Sequence, residues 1–132
     1  MSTIPNPVEL PGLSVTLDRL VYRNASDASP ERPHCFIYFL SIHNRSPLPV
    51  TLKGRKWVVA HDDGTTLVVE GDGVVGQFPT LEPGTHFSYN SQHFIGTQQA
   101  FAEGSYLLVG QTGERFFVRI PRFEMLVPDA SV

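Results

Sequence analysis

The run Gly71-Asp72-Gly73-Val74-Val75-Gly76 has the residue types that meet a phosphate. Consecutive backbone N–H groups at glycines form a concave nest for an anion. Asp72 works against that charge, and Arg55 is the nearby cation that would offset it. The spacing also fits G-x-G-x-x-G, but a dinucleotide loop must open a helix whose N-terminus meets the pyrophosphate. Phe78-Pro79 and a Pro83-Gly84 turn follow instead, so no helix starts and a Rossmann site is argued against. Two readings of Gly71, Gly73, Gly76 and Arg55 stay open. The loop binds a small anion (phosphate, pyrophosphate or a nucleotide) or a divalent cation; or its glycines let the chain cross between sheets and pack closely.

Other reactive types are present without a working arrangement. The histidines are His34, His43, His61, His86 and His93, and none stands at zinc-site spacing from a cysteine. His34 and Cys35 are neighbours, so on a strand they point to opposite faces and make no nucleophile–base pair. Cys35 reads as a small buried hydrophobe. Asp62, Asp63, Glu70 and Asp72 lie in or beside turns, where carboxylates cap or solvate. Nothing sets two of them across a cleft for acid–base work. No catalytic residue, metal site or cofactor is assigned, and the chain is not read as an enzyme.

The elements that carry these residues are strands. In 132 residues there are eleven Gly and eleven Pro, which break helices and suit a chain that turns often. The length fits a single domain, 1–132. The net charge of -3, with Lys and Arg dispersed, argues against nucleic acid and anionic membrane surfaces. No apolar run approaches the roughly 18 residues of a membrane span, and the N-terminus has no signal-peptide pattern. A single cysteine forms no intrachain disulfide. A cytoplasmic location is expected.

Residues 1–12 read as an irregular arm. Leu13 to Tyr22 is a first strand whose apolar phase slips near Asp18-Arg19, which a bulge would restore. His34 to Asn44 alternates Phe36, Tyr38, Leu40 and Ile42 against Cys35, Ile37 and Phe39, so it should be central with both faces covered. Val50 to Lys53 reads as a short edge segment and Arg55 to His61 as a separate strand. Asp62-Asp63-Gly64 closes a tight hairpin of primed type onto Thr65 to Glu70. His86 to Ser91 is another strand, and Gln92 to Glu103 has room for a short helical turn. Gly104–Gly110 and Glu114–Ile120 make the last hairpin, with Phe117 on the outward side beside Arg115 and Arg119. Residues 124–132 are a tail. Trp57 is expected in the core with Arg55 on its face, and Tyr89 or Tyr106 to bond across a corner between sheets. About seven or eight short strands with turns every eight to twelve residues indicate an all-β, antiparallel sandwich of immunoglobulin or fibronectin type III kind. A small barrel is the alternative.

The stretch Arg55–Ser91 also resembles the ApaG (DUF525) family. It carries Arg55-x-Trp57, Asp63-Gly64, Val69-x-Gly71-x-Gly73-Val74-Val75-Gly76, then Pro79-x-Leu81-x-Pro83-Gly84-x-x-Phe87-x-Tyr89-x-Ser91. Ile42-x-Asn44, Gly104-Ser105-Tyr106 and Phe117-Val118-x-Ile120-Pro121 agree on either side. A departure follows Thr97, where Gln98 to Glu103 lack the family's Pro, first Gly and Met. The resemblance implies a fibronectin type III-like sandwich and no family-wide enzymatic activity. It further implies a protein-interaction role, as inferred for eukaryotic members, and a link to cobalt tolerance and magnesium efflux, as for bacterial ones. The expected function is a non-enzymatic binding module with an unidentified protein partner. Open sheet edges and the Phe117 side also allow a homodimer.

Overall fold

The computed structural model describes residues 6–129. Nine strands are formed among them: β1 (Val8–Glu9), β2 (Leu13–Asn24), β3 (His34–Asn44), β4 (Val50–His61), β5 (Thr66–Asp72), β6 (Thr80–Leu81), β7 (His86–Ile95), β8 (Gln99–Gly110) and β9 (Arg115–Leu126). They make two separate sheets. The smaller is β2-β3-β7; the larger runs β1-β9-β8-β4-β5, with β6 added to β4. This is the all-β sandwich expected, not a closed barrel. The seven long strands divide between the sheets as in fibronectin type III domains, the first, second and fifth of them facing the other four.

Alternation explains the layering. On β3, Phe36, Tyr38, Leu40 and Ile42 point to the inner face and are buried. Trp57 and Val59 of β4, Tyr106 and Leu108 of β8, and Phe116, Val118 and Ile120 of β9 meet them from the larger sheet. β3 is the middle strand of its sheet, as expected. Its outer face is not fully covered: Ile37 and Phe39 are half-buried there, and the Arg19 guanidinium lies 5.7 Å from the Phe39 ring centroid.

Several boundaries differ from the sequence reading, each for a local reason. The expected slip in β2 is real, and the register shifts between Leu17 and Arg19. A second shift, between Leu52 and Gly54, lets Val50–His61 run as one strand. Val50–Lys53 is therefore part of β4, flanked by β6 and β8, and not an edge. At Asp62–Gly64 only Gly64 has positive φ (88°), and His61 N–H donates to Thr65 O at 2.8 Å. That is a three-residue loop ending in a left-handed glycine, not a primed turn. Gln92–Glu103 holds no helical turn; it is divided between β7, a turn and β8. β9 continues through Phe123 and Met125, both buried, into what was expected to be tail. Val8–Glu9 of the expected arm pair in parallel with Phe116 and Phe117. The rest of the arm at 1–5 and of the tail at 130–132 lies outside the described residues.

One buried polar residue ties the turns to the sheets. Asn44 is fully buried; its Nδ2 donates to Leu48 O (2.8 Å) and Leu81 O (2.9 Å). Its Oδ1 accepts from Ser46, and its backbone O accepts from Gly84 N–H at 2.7 Å. A buried amide with all its bonds made specifies one geometry.

Candidate functional site

The glycine run is a primed turn standing on an arginine. β5 ends at Asp72, and Gly73 N–H donates to Lys53 O at 2.9 Å. Val74 and Gln77 exchange both backbone bonds (2.9 and 2.8 Å), with Val75 and Gly76 at φ 43° and 76° between them. Two successive positive φ values define a type I′ turn. Val74 is fully buried and anchors it; Val75 and Phe78 stand out in solvent at 51% and 53% exposure. The N–H groups of Gly73, Val74 and Gln77 are thus bonded within the chain.

The structure brings Arg55 to Gly71 and Gly73, on the carbonyl side, while Gly76 stands at the open end of the turn. Arg55 Nη1 donates to Asp72 O (2.9 Å) and Gly73 O (3.0 Å). Gly71 makes room for it, since a Cβ there would lie 2.8–2.9 Å from the guanidinium. The arginine fixes the base of the turn.

A cavity opens beside this arginine. The larger sheet is wider than the smaller, so the inner faces of β4 and β5 overhang β7, the smaller sheet's edge strand. Beneath the overhang is a space of about 230 Å³ reached by Arg32, Tyr38, Arg55, Trp57 and His93, among others. Val59, Leu67 and Val69 make its apolar wall. Trp57 is core, as expected, at 1% exposure. Its ring centroid is 4.6 Å from that of His93, and His93 also stacks at 4.7 Å on Tyr38. Trp57 Nε1 and His93 Nε2 are both buried without a hydrogen-bond partner among the described residues. Each such atom costs about 1–3 kcal/mol when left unpaired. Desolvation lowers the His93 pKa to about 4, so the ring is neutral at pH 7.

Behind this cavity a phenol pair crosses the sandwich. Tyr89 of β7 and Tyr106 of β8 share a hydrogen bond through their hydroxyls, the bridge between sheets that was expected of one of them. Burial pushes both phenols up, so they stay protonated.

The outer face of the smaller sheet holds a polar network that sequence reasoning missed. Asp18, the bulge residue, accepts from Thr16 Oγ1 (2.8 Å) and from Ser41 Oγ. Ser41 bonds Ser88 at 2.7 Å, and Thr16 meets His43 Nε2 at 3.0 Å. His43 and His86 pair across β3–β7 with ring centroids 5.7 Å apart. The Ser41 and Thr16 hydroxyls hold the Asp18 carboxyl below its usual range. The signal was available: a carboxylate at a bulge beside a strand whose outer positions turn from apolar to Ser41 and His43.

The remaining candidates are scattered. His34 bonds Tyr22 at 2.8 Å and His61 sits at its hairpin with Thr65. His93 lies on the opposite face of β7 from His86. Among the described residues no group of three or more His, Cys, Asp or Glu could hold a metal ion. Cys35 is a buried free thiol, pushed up by desolvation, with Gln92 Oε1 3.6 Å away. No helix among the described residues is long and apolar enough to cross a membrane.

The family model described as the ApaG domain (DUF525) matches residues 24–110. The chain belongs to the ApaG family. Protein ApaG of Shewanella frigidimarina is 34% identical over 128 residues, covering 97% of each chain. A crystal structure of an ApaA protein from Bordetella pertussis is 29% identical, with a TM-score of 0.74 over 94% of this chain and 100% of that one. An X-ray structure of a Northeast Structural Genomics Consortium target is 30% identical, with a TM-score of 0.81 over 89% and 88%. The ApaG signature falls where the geometry is tightest: Arg55 and Gly71 under the turn, Trp57 in the core, Tyr89 in the phenol pair, and Gly84 on Asn44. In this ApaG domain the divergent Gln98–Glu103 segment forms the start of β8, and Gln98 O accepts from Val127 N–H at 2.9 Å.

Proposed function

We propose that this ApaG domain is a non-enzymatic binding module that docks a protein partner through the tip of its primed turn. The observation that carries this is the pair Val75 and Phe78, both more than half exposed on a loop held by Arg55, Lys53 and the Val74–Gln77 bonds. A β-branched residue at positive φ is strained, and strain persists where the surroundings over-determine it, often at functional sites. A rigid apolar tip loses little freedom on binding, which favours affinity. In this reading the link of bacterial relatives to cobalt tolerance and magnesium efflux runs through the partner, and the site of action is the cytoplasm.

A photo-crosslinking amino acid placed at position 78 in living cells tests this. The expected result is a discrete adduct that an identical probe at exposed Thr112 does not give. An adduct at twice the 14.6 kDa chain mass would make the partner a second copy of the chain. Indistinguishable adduct patterns at the two positions would sink the proposal.

A further inference from the structure

We propose that the cavity under the overhang of β4 and β5 is a binding site for a small organic anion, a carboxylate on an apolar body. This site is distinct from the turn tip and stands without it. Four observations converge. First, Trp57 Nε1 and His93 Nε2 are buried with no partner among the described residues, on rings 4.6 Å apart. The indole can only donate, and the neutral imidazole donates from Nε2 in one of its two tautomers. In that tautomer both N–H groups lack an acceptor, and a carboxylate, with about four lone-pair sites, would supply one. Second, two arginines, Arg32 and Arg55, line the space, and among the described residues no carboxylate does. Arg55 commits Nη1 to the turn carbonyls, while a guanidinium has five N–H donors in all. Third, Val59, Leu67, Val69 and Phe94 also line the space, so the ligand's remainder is apolar. A bare phosphate would leave these side chains unused. Fourth, about 230 Å³ lies below the roughly 300–1,000 Å³ of pockets for drug-sized ligands, which suits a small acid and not a nucleotide. Apolar walls with a few convergent polar groups are the usual composition of small-molecule pockets.

The sole tryptophan is in the wall, so it reports occupancy directly. Three probes separate the determinants: benzoate carries both charge and body, benzyl alcohol the body alone, and inorganic phosphate the charge alone. Binding is read by Trp57 fluorescence and by the indole N–H resonance, which moves downfield on gaining an acceptor. The expected result is a saturable response to benzoate only, at least tenfold weaker in Arg32→Ala. Arg32 is exposed, so this variant folds. The proposal is overturned by equal affinity for benzyl alcohol, by equal affinity for phosphate, by unchanged benzoate affinity in Arg32→Ala, or by an indole resonance that none of the probes moves.

Discussion

Val75 sits at φ 43°, where a Cβ crowds the following carbonyl by roughly 1–2 kcal/mol. Glycine relieves that contact at some cost in unfolded-chain entropy. Val75→Gly is therefore expected to stabilise the protein by roughly 0.5–1 kcal/mol, seen as a higher urea midpoint at unchanged slope. The same variant should weaken the crosslink at position 78, since half the apolar tip is gone. A stabilised protein with weaker docking is what separates a functional tip from an ordinary turn. The phenol pair makes the opposite case. Tyr106→Phe leaves the Tyr89 hydroxyl buried and unpaired, and should cost about 1–3 kcal/mol. Tyr89→Phe should act likewise, and the double variant should cost less than the two added together, because each single change already breaks the same bond. Additive losses in a double-mutant cycle would show that the two hydroxyls do not act as a unit.

At the level of strands, close approach decides which glycines tolerate a side chain. A Cβ on Gly104 would lie 2.1 Å from Lys56 O, a backbone atom of β4 that cannot move aside. Gly104→Ala is expected to unfold the protein or leave it severely destabilised in a thermal melt. The nearest atoms to a Cβ on Gly71 would be those of the Arg55 guanidinium, the far end of a flexible side chain. Gly71→Ala should cost little stability, yet it should release the turn base and weaken benzoate binding. The same contrast explains what could be read from the chain in advance. β3 was legible to the residue because its alternation is unbroken from His34 to Asn44. The β2 bulge was legible because Leu20 and Tyr22 fall out of phase with Val15 and Leu17. β4 was not, because the shift at Lys53 makes one strand look like two. The start of β8 was hidden for a different reason: its inner positions are Ala100 and Ala102, which carry almost no hydrophobic signal. Nor was the cavity legible. Arg32, the Arg55–Trp57 pair of β4 and His93 are far apart along the chain and meet only because the two sheets differ in width, a property no local pattern encodes. Arg55 was singled out beside the glycine loop, but its bonds to the Asp72 and Gly73 carbonyls depend on how the chain turns after β5.

For the molecule as a whole, the buried imidazole couples stability to acid. The folded pKa of His93 is about 4 against an ordinary 6.5, so the unfolded chain takes up a proton first as pH falls. Its contribution is fully present above about pH 6.5 and is lost as pH falls toward 4, by up to ~1.4 kcal/mol per unit. The total is on the order of 3 kcal/mol. His93→Phe should flatten the stability profile between pH 6.5 and 4, measured by urea melts at several pH values. A profile equally steep in the variant would assign the acid sensitivity elsewhere. Asp18 acts with the same sign lower on the pH scale: its folded pKa is also lowered, so its contribution is present above the ordinary carboxylate range and is lost at more acid pH. The way the sandwich closes has a mechanical consequence as well. β1 and β9 are the strands nearest the two ends of the described chain, and they pair in parallel at Val8–Phe116 and Glu9–Phe117. Tension applied at the two ends would load these bonds in shear, all at once, and not peel them one by one. With only two residues of β1 engaged, that clasp would part first, exposing the edge of β9 while the rest of the sandwich still stands.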